Sequence, residues 1–220
     1  MKATRIGGGS EATGTGPGMG AGTGTGTTGR PRRSSRETLQ DAATELFLEQ
    51  GYERTTIDEI ARRSGVARGT FFNYFSAKGD LLWAEADPVL DRLPAVLAAV
   101  PPELGAAEGV RWALLELAGG MPAAPVALVE RDIIGASADA AASGLPRLLA
   151  VHTALRRFVT SRASRRDGIP AAFAAAATGA AIAAAAGWLD AGSGRGALRD
   201  AVDIAVTPVA AAFAPLLPRA

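Results

Sequence analysis

Apolar residues recur at helical spacing from Leu39 onward, and no stretch alternates apolar and polar positions as a half-buried strand would. Leu39, Ala42, Ala43, Leu46 and Phe47 form one stripe. Ser34 and Glu37 stand at capping-box spacing ahead of it, and Gly51 stops the helix at its far end. Thr56 and Glu59 repeat that spacing before a short apolar face made by Ile57, Ile60 and Ala61. Ser64-Gly65-Val66 then breaks the chain, with Gly65 free to take the positive φ that a tight inter-helix turn demands. A third helix is predicted from about Ala67 to Tyr74, with Phe71 and Phe75 four apart on its inner side. Ser76 is placed to cap a longer fourth helix, which Pro88 and Pro94 should bend or interrupt. Further helices are expected near 106–119, 124–136, 145–165, 170–190 and 196–214. The predicted fold class is all-α: an N-terminal three-helix helix-turn-helix unit over 34–80, then a helical domain over 81–220.

Residues 1–33 differ in kind. They are rich in Gly and Thr with almost nothing to bury, so they are expected to be disordered. Their glycine run lacks the preceding strand and the closing Lys-Ser/Thr of a phosphate loop, which argues against a nucleotide site. The segment ends in the basic "RPRRSSR", Arg30 to Arg36. Two readings stay open for it: a solvated linker, or an arm lying along a phosphate backbone or in a minor groove.

Composition narrows the chemistry. Aromatic residues are 5% of the chain, so the core must be built from Ala, Leu and Val. With no cysteine and one histidine, His152, thiolate chemistry and multi-His metal sites are excluded. Paired carboxylates and triads at catalytic spacing do not stand out, so no enzyme, metal or cofactor is expected. No apolar leader follows the N-terminal basic residues, which gives a cytoplasmic expectation. The net charge of +1 divides as +4 over 1–33, −2 over 34–80 and −1 over 81–220. Binding to nucleic acid would therefore need a small, placed patch rather than a broad basic field.

The stretch "ARGTFFNY" supplies such a patch. In a helix-turn-helix the second helix sets its N-terminal side chains against base edges in the major groove. With Phe71 and Phe75 inward, Arg68, Gly69, Thr70, Asn73 and Tyr74 face out. Arg68 suits guanine, Asn73 suits adenine, and Thr70 suits a thymine methyl or a phosphate. Gly69 leaves room for backbone to approach a duplex. Lys78 and the N-cap Thr56 suit phosphates, although Thr56 also serves as a plain cap.

The run "SGVARGTFFNYFSAKGDLL" within Ser35–Leu82, about a fifth of the chain, resembles the N-terminal domain of the TetR family of transcriptional regulators. The resemblance implies DNA contacts by Thr56, Arg68, Gly69, Thr70, Phe72, Asn73, Tyr74 and Lys78. Many members carry tyrosine where this chain has Phe72, so a phosphate hydrogen bond from that position is lost here. "GTFFNYFSAKGDLLWAEADPVLDRL", with Trp83 and Asp87, is also similar to the branch associated with mycofactocin gene clusters.

For residues 81–220 the plain reading is a helical core, and the resemblance implies an effector pocket and a dimer interface. Residues 168–189 carry no charge and are mostly alanine. Their length would allow a membrane span, but alanine contributes little to insertion, so none is expected. Small residues instead let helices approach closely, and the last two helices are expected to form a four-helix bundle with those of a second copy. Candidate pocket walls are Trp112, Leu115, Ile133, Leu149, Phe158 and Trp188, with His152 either a packed core residue or a ligand contact. The expected partners are double-stranded DNA, a second copy of the chain and a small apolar ligand such as an acyl chain or acyl thioester. The resulting function is that of a homodimeric, ligand-responsive repressor. The rival is a helical protein–protein adaptor whose helix-turn-helix face docks a protein instead.

Overall fold

A computed structural model describes residues 35–164, 167–194 and 196–218. The expectations placed on the Gly/Thr tail, on most of the basic arm and on the Ser34 cap lie outside those residues. The described chain belongs to one compact unit, Arg33–Ala220, and is helical throughout.

Three helices come first: α1 (Ser35–Gln50), α2 (Ile57–Arg63) and α3 (Arg68–Phe72). The α1 stripe is buried as its spacing requires, with Leu39 and Phe47 almost inaccessible. Gly51 ends α1 at φ +86°. Arg36, the last residue of the basic stretch, is part of α1, with its guanidinium 5.5 Å from the Phe75 ring centroid.

The expected long fourth helix is three pieces: a 3-10 turn at Lys78–Trp83, α4 (Asp87–Leu90) and α5 (Leu93–Ala98). Pro88 and Pro94 each stand in the first turn of their helix, where a missing N–H costs nothing. Ser76 does not cap this segment. The Asp80 carboxylate does, accepting from the backbone N–H groups of Ser76 at 2.9 Å and Ala77 at 3.1 Å.

Next come α6 (Ala106–Gly119), α7 (Val126–Val129), α8 (Ser137–Arg162), α9 (Ile169–Asp190) and α10 (Leu198–Phe213). The helix expected over 124–136 shrinks to α7. Gly135 turns the chain at φ +73°, and Ala136 N–H bonds back to the Arg131 carbonyl. Helix α8 starts eight residues earlier than expected and carries Pro146 inside it.

Two cores result. One joins α5, α6, α8, α9 and α10 around Val110, Leu155, Phe173 and Val206. The other lies under α1–α3 and does not end at residue 80. Leu81, Leu82, Ala127, Leu128, Ile134 and Ala140 complete it, and Tyr52 N–H bonds the Ile134 carbonyl at 2.8 Å. The helix-turn-helix thus rests on residues drawn from the helical domain.

Helix α9 is long and apolar enough to cross a membrane by length and composition, yet Phe173, Ala174, Ala177 and Thr178 pack it into the first core.

Candidate nucleic-acid interface and effector cavity

The α2–α3 unit is built from its caps inward. Thr56 accepts the Glu59 N–H at 3.2 Å while the Glu59 carboxylate accepts the Thr56 N–H at 2.9 Å and its hydroxyl at 2.8 Å. These bonds hold the Glu59 carboxyl below the usual carboxylate range. At the other end of α2, Gly65 sits at φ +70°, with Gly65 N–H on the Arg62 carbonyl and Val66 N–H on the Ala61 carbonyl. That paired closure needs a left-handed residue, which glycine adopts without a Cβ penalty.

Helix α3 is anchored by Phe71 and Phe75, both buried, with ring centroids 5.5 Å apart. Their burial turns Arg68, Gly69, Asn73 and Tyr74 to solvent, with Thr70 half-buried beside them. A Cβ at Gly69 would meet nothing within 4 Å, so the surface is open there. Phe72 is 49% exposed and lies edge-on to Phe71. Arg68 is ion-paired to Asp58 of α2 at 2.7 Å, and its guanidinium stands 5.8 Å from the Phe72 ring centroid. Arg63 is taken up by Glu49 and Glu45, whereas Arg62 and Arg54 are exposed on the same unit.

Lys78 occupies a different environment from the other candidate contacts. It is half-buried, donating to the Tyr52 carbonyl at 2.8 Å and the Thr55 carbonyl at 3.1 Å, and stands 3.9 Å from the Tyr52 ring centroid. Thr55, which sequence reasoning passed over, is buried with its hydroxyl on the Gly51 carbonyl at 2.9 Å. The hydroxyl of Tyr52 is pushed well above its ordinary value by burial and by Asp139. Together these groups fix the loop that presents α2.

The helix-turn-helix is tied to α8 by a charged clamp. Arg147 donates from Nε and Nη2 to both oxygens of Asp87, at 2.6 and 2.8 Å, and from Nη2 to Asp80 at 3.2 Å. Trp83 lies beside it, its Nε1–H on the Ala140 carbonyl at 3.0 Å. Gly144 makes this approach possible, since a Cβ there would come within 2.4 Å of the Trp83 ring.

An apolar cavity of about 120 Å³ lies between α4, α6, α8, α9 and α10. Its buried floor is Leu114, Leu117, Ala118, Thr178 and Val202, and half-buried Leu90, Met121, Leu148, Val151 and Ile182 are among its rim residues. The six expected wall residues and His152 are not among the residues lining this cavity. Ile133 is 81% exposed and Leu149 55% exposed, so both face away from any interior. His152 is half-buried on α8, outside the buried core. Leu115 is core packing, and Trp112 lies against that core. Phe158 fills the notch left by Gly109, where a Cβ would be 2.8 Å from its ring. Trp188 is buried, donating to the Gly196 carbonyl at 2.7 Å and so closing the α9–α10 turn. The inward stripe of α8 is Gly144, Leu148, Val151, Leu155 and Val159, which leaves Leu149 exposed and His152 half-buried outside it.

A capped helix and a second short helix around a glycine turn, with an aromatic anchor and an outward polar face, form a helix-turn-helix. Residues 39–84 match the model of bacterial regulatory proteins, tetR family. Over 87 residues it is 32% identical to the Mycobacterium tuberculosis protein MftR, provisionally named as a transcriptional regulator of mycofactocin biosynthesis. Over 56 residues it is 46% identical to HbdR of Aromatoleum, an HTH-type transcriptional regulator. These matches take in 40% and 26% of this chain and span only 44% of MftR and 24% of HbdR. Across most of the chain the fold is similar to NalD of Pseudomonas aeruginosa, a repressor of a multidrug efflux pump (TM-score 0.55, 18% identity, 80% of this chain and 94% of that one). It is also similar to Thermus thermophilus FadR, a TetR-family repressor solved with lauroyl-CoA (TM-score 0.50, 21% identity, 79% and 92%). At these identities the likeness concerns fold alone.

Proposed function

We propose that this chain is a cytoplasmic, homodimeric transcriptional repressor that reads a near-palindromic operator through α3 and releases it when a small apolar ligand enters the helical domain. The observation that carries the reading is the division of α3. Phe71 and Phe75 are fully used in the core, while Arg68 on the helix and Asn73 and Tyr74 just past its end are left facing out, with Thr70 half-buried beside them.

The dimer reading is supported by α9 and α10. Little more than a quarter of the most apolar stretch of α9 is buried by the chain's own fold. Ala175, Gly179, Ala183 and Ala186 remain exposed on it, and Ile204 on α10 is 79% exposed. Such a face suits a two-fold four-helix bundle, which would set the recognition helices about 34 Å apart, one turn of duplex. The ligand reading is supported by the cavity. FadR, with its lauroyl-CoA, gives a precedent for the acyl class, whereas about 120 Å³ suits a body close to one ring in size.

Mobility shift on genomic fragments tests the proposal. Sequence-selective retardation that weakens steeply with salt is the expected result. Absence of selective retardation would leave the α3 face, with its exposed Phe72 and Tyr74, to a protein partner.

A further inference from the structure

Asp58 stands exposed in the first turn of α2, directly after Ile57. Its Oδ2 accepts from Arg68 Nη1 at 2.7 Å, and it makes no other hydrogen bond among the described residues. Among them this is also the only ion pair that joins α2 to α3. Asp58 does not cap α3, which begins at Ala67 without a side-chain cap. With side chains 59% and 58% exposed, the pair contributes little to holding the fold together.

What the pair fixes is a direction. Ordering a long, free side chain at an interface weakens binding by about two- to twelve-fold. Arg68 is ordered before DNA arrives. Asp58 holds its Nη1 end, and the Phe72 ring, one helical turn on, lies 5.8 Å from its guanidinium. The Nε and Nη2 hydrogens make no bond among the described residues. They form one complete edge of the guanidinium fork, the shape that pairs with guanine O6 and N7. An untethered Arg68 could instead swing to a phosphate, a contact blind to sequence. The Asp58 carboxylate meanwhile repels the phosphates of any duplex, so it adds no general affinity of its own.

We infer that Asp58 is a positioning residue for sequence specificity: it keeps the Arg68 guanidinium on a base edge and off the phosphates. The inference rests on reading α3 as the recognition helix.

The test uses the full-length protein and the site it selects from genomic fragments. Affinity for that site is compared with affinity for the same duplex carrying a changed base, and with a non-cognate duplex. The base that Arg68 reads is the one whose change no longer matters in Arg68→Ala. At that base the wild type should discriminate by about five- to hundred-fold. Asp58→Ala should cut this by about three- to ten-fold, while binding non-cognate duplex at least as tightly as the wild type, because a negative charge has left the interface. Asp58→Asn keeps an acceptor without the charge and should fall between the two. In the Arg68→Ala background, Asp58→Ala should not lower the ratio of cognate to non-cognate affinity further. The Tm of each Asp58 variant should stay within about 4 °C of the wild type.

The inference is overturned if Asp58→Ala keeps the full discrimination, or if it lowers the affinity ratio by the same factor when Arg68 is absent. It is overturned equally if binding falls evenly over all sequences together with Tm, which would leave Asp58 a structural role alone. Sharper discrimination in Asp58→Ala would also overturn it, and would mean that the pair withholds Arg68 from DNA. If the wild type selects a site and only these expectations fail, the repressor reading stands. If the wild type selects no site, that reading fails and the inference falls with it.

Discussion

Lys78 separates two accounts of a single side chain. From its place after the recognition helix it reads as a phosphate contact, yet its ammonium is already held by two carbonyls and an aromatic ring. Replacing it with methionine should cost about 2 kcal/mol, the worth of hydrogen bonds from a charged donor. Thermal unfolding should show a Tm lower by several degrees. An unchanged Tm together with weaker binding to every DNA sequence would restore the phosphate role. Residues whose partners lie close in the sequence were legible in advance: the Thr56–Glu59 box, the positive φ of Gly65 and the inward Phe71 and Phe75. Lys78 was not, because its acceptors are backbone carbonyls on the far side of α2, and main-chain carbonyls carry no sequence signal.

Among the elements, α2 depends on its reciprocal cap. The depressed Glu59 pKa means that its contribution is fully present above the unfolded value, near 4.3 for a free glutamate, and is lost as pH falls through the folded value. Urea unfolding of the wild type should therefore show a loss between about pH 5 and 3 that is shallower in Glu59→Gln. Identical pH slopes in the two proteins would remove Glu59 from the account. Helix existence was readable from apolar spacing for α1, α2, α6, α9 and α10. The rotation of α8 was not, because Trp83 against Gly144 and Arg147 against Asp87 fix it, and those pairs lie about sixty residues apart in the chain. Of α8, Leu148 and Val151 line the cavity, and Leu149, His152 and Phe158 are not among its lining residues.

For the whole molecule, two features join its parts. The clamp of Arg147 with Asp80 and Asp87 is one. Arg147→Met strands two acids beside each other and should destabilise the chain by about 3 kcal/mol. Adding Asp87→Asn should recover part of that loss in a double-mutant cycle, read by thermal unfolding. Additive losses would show that the pair does not act as a unit. The second feature is the small-residue face of α9. A Cβ at Gly179 meets nothing within 4 Å in the single chain. Gly179→Leu should therefore leave the protomer folded while blocking close approach of a second copy. Sedimentation equilibrium should report a dimer for the wild type and a monomer for the variant. A dimer that persists in the variant would place the interface elsewhere.

The most direct test of the central claim is sequencing of genomic DNA fragments selected by the full-length protein, run beside Arg68→Ala and Asn73→Ala. The account predicts one enriched near-palindromic site with half-site centres about one helical turn apart. Each variant should lose discrimination at one base position per half-site by about 1–3 kcal/mol. Fragments with no shared sequence, or the same site recovered with equal preference by both variants, would contradict it.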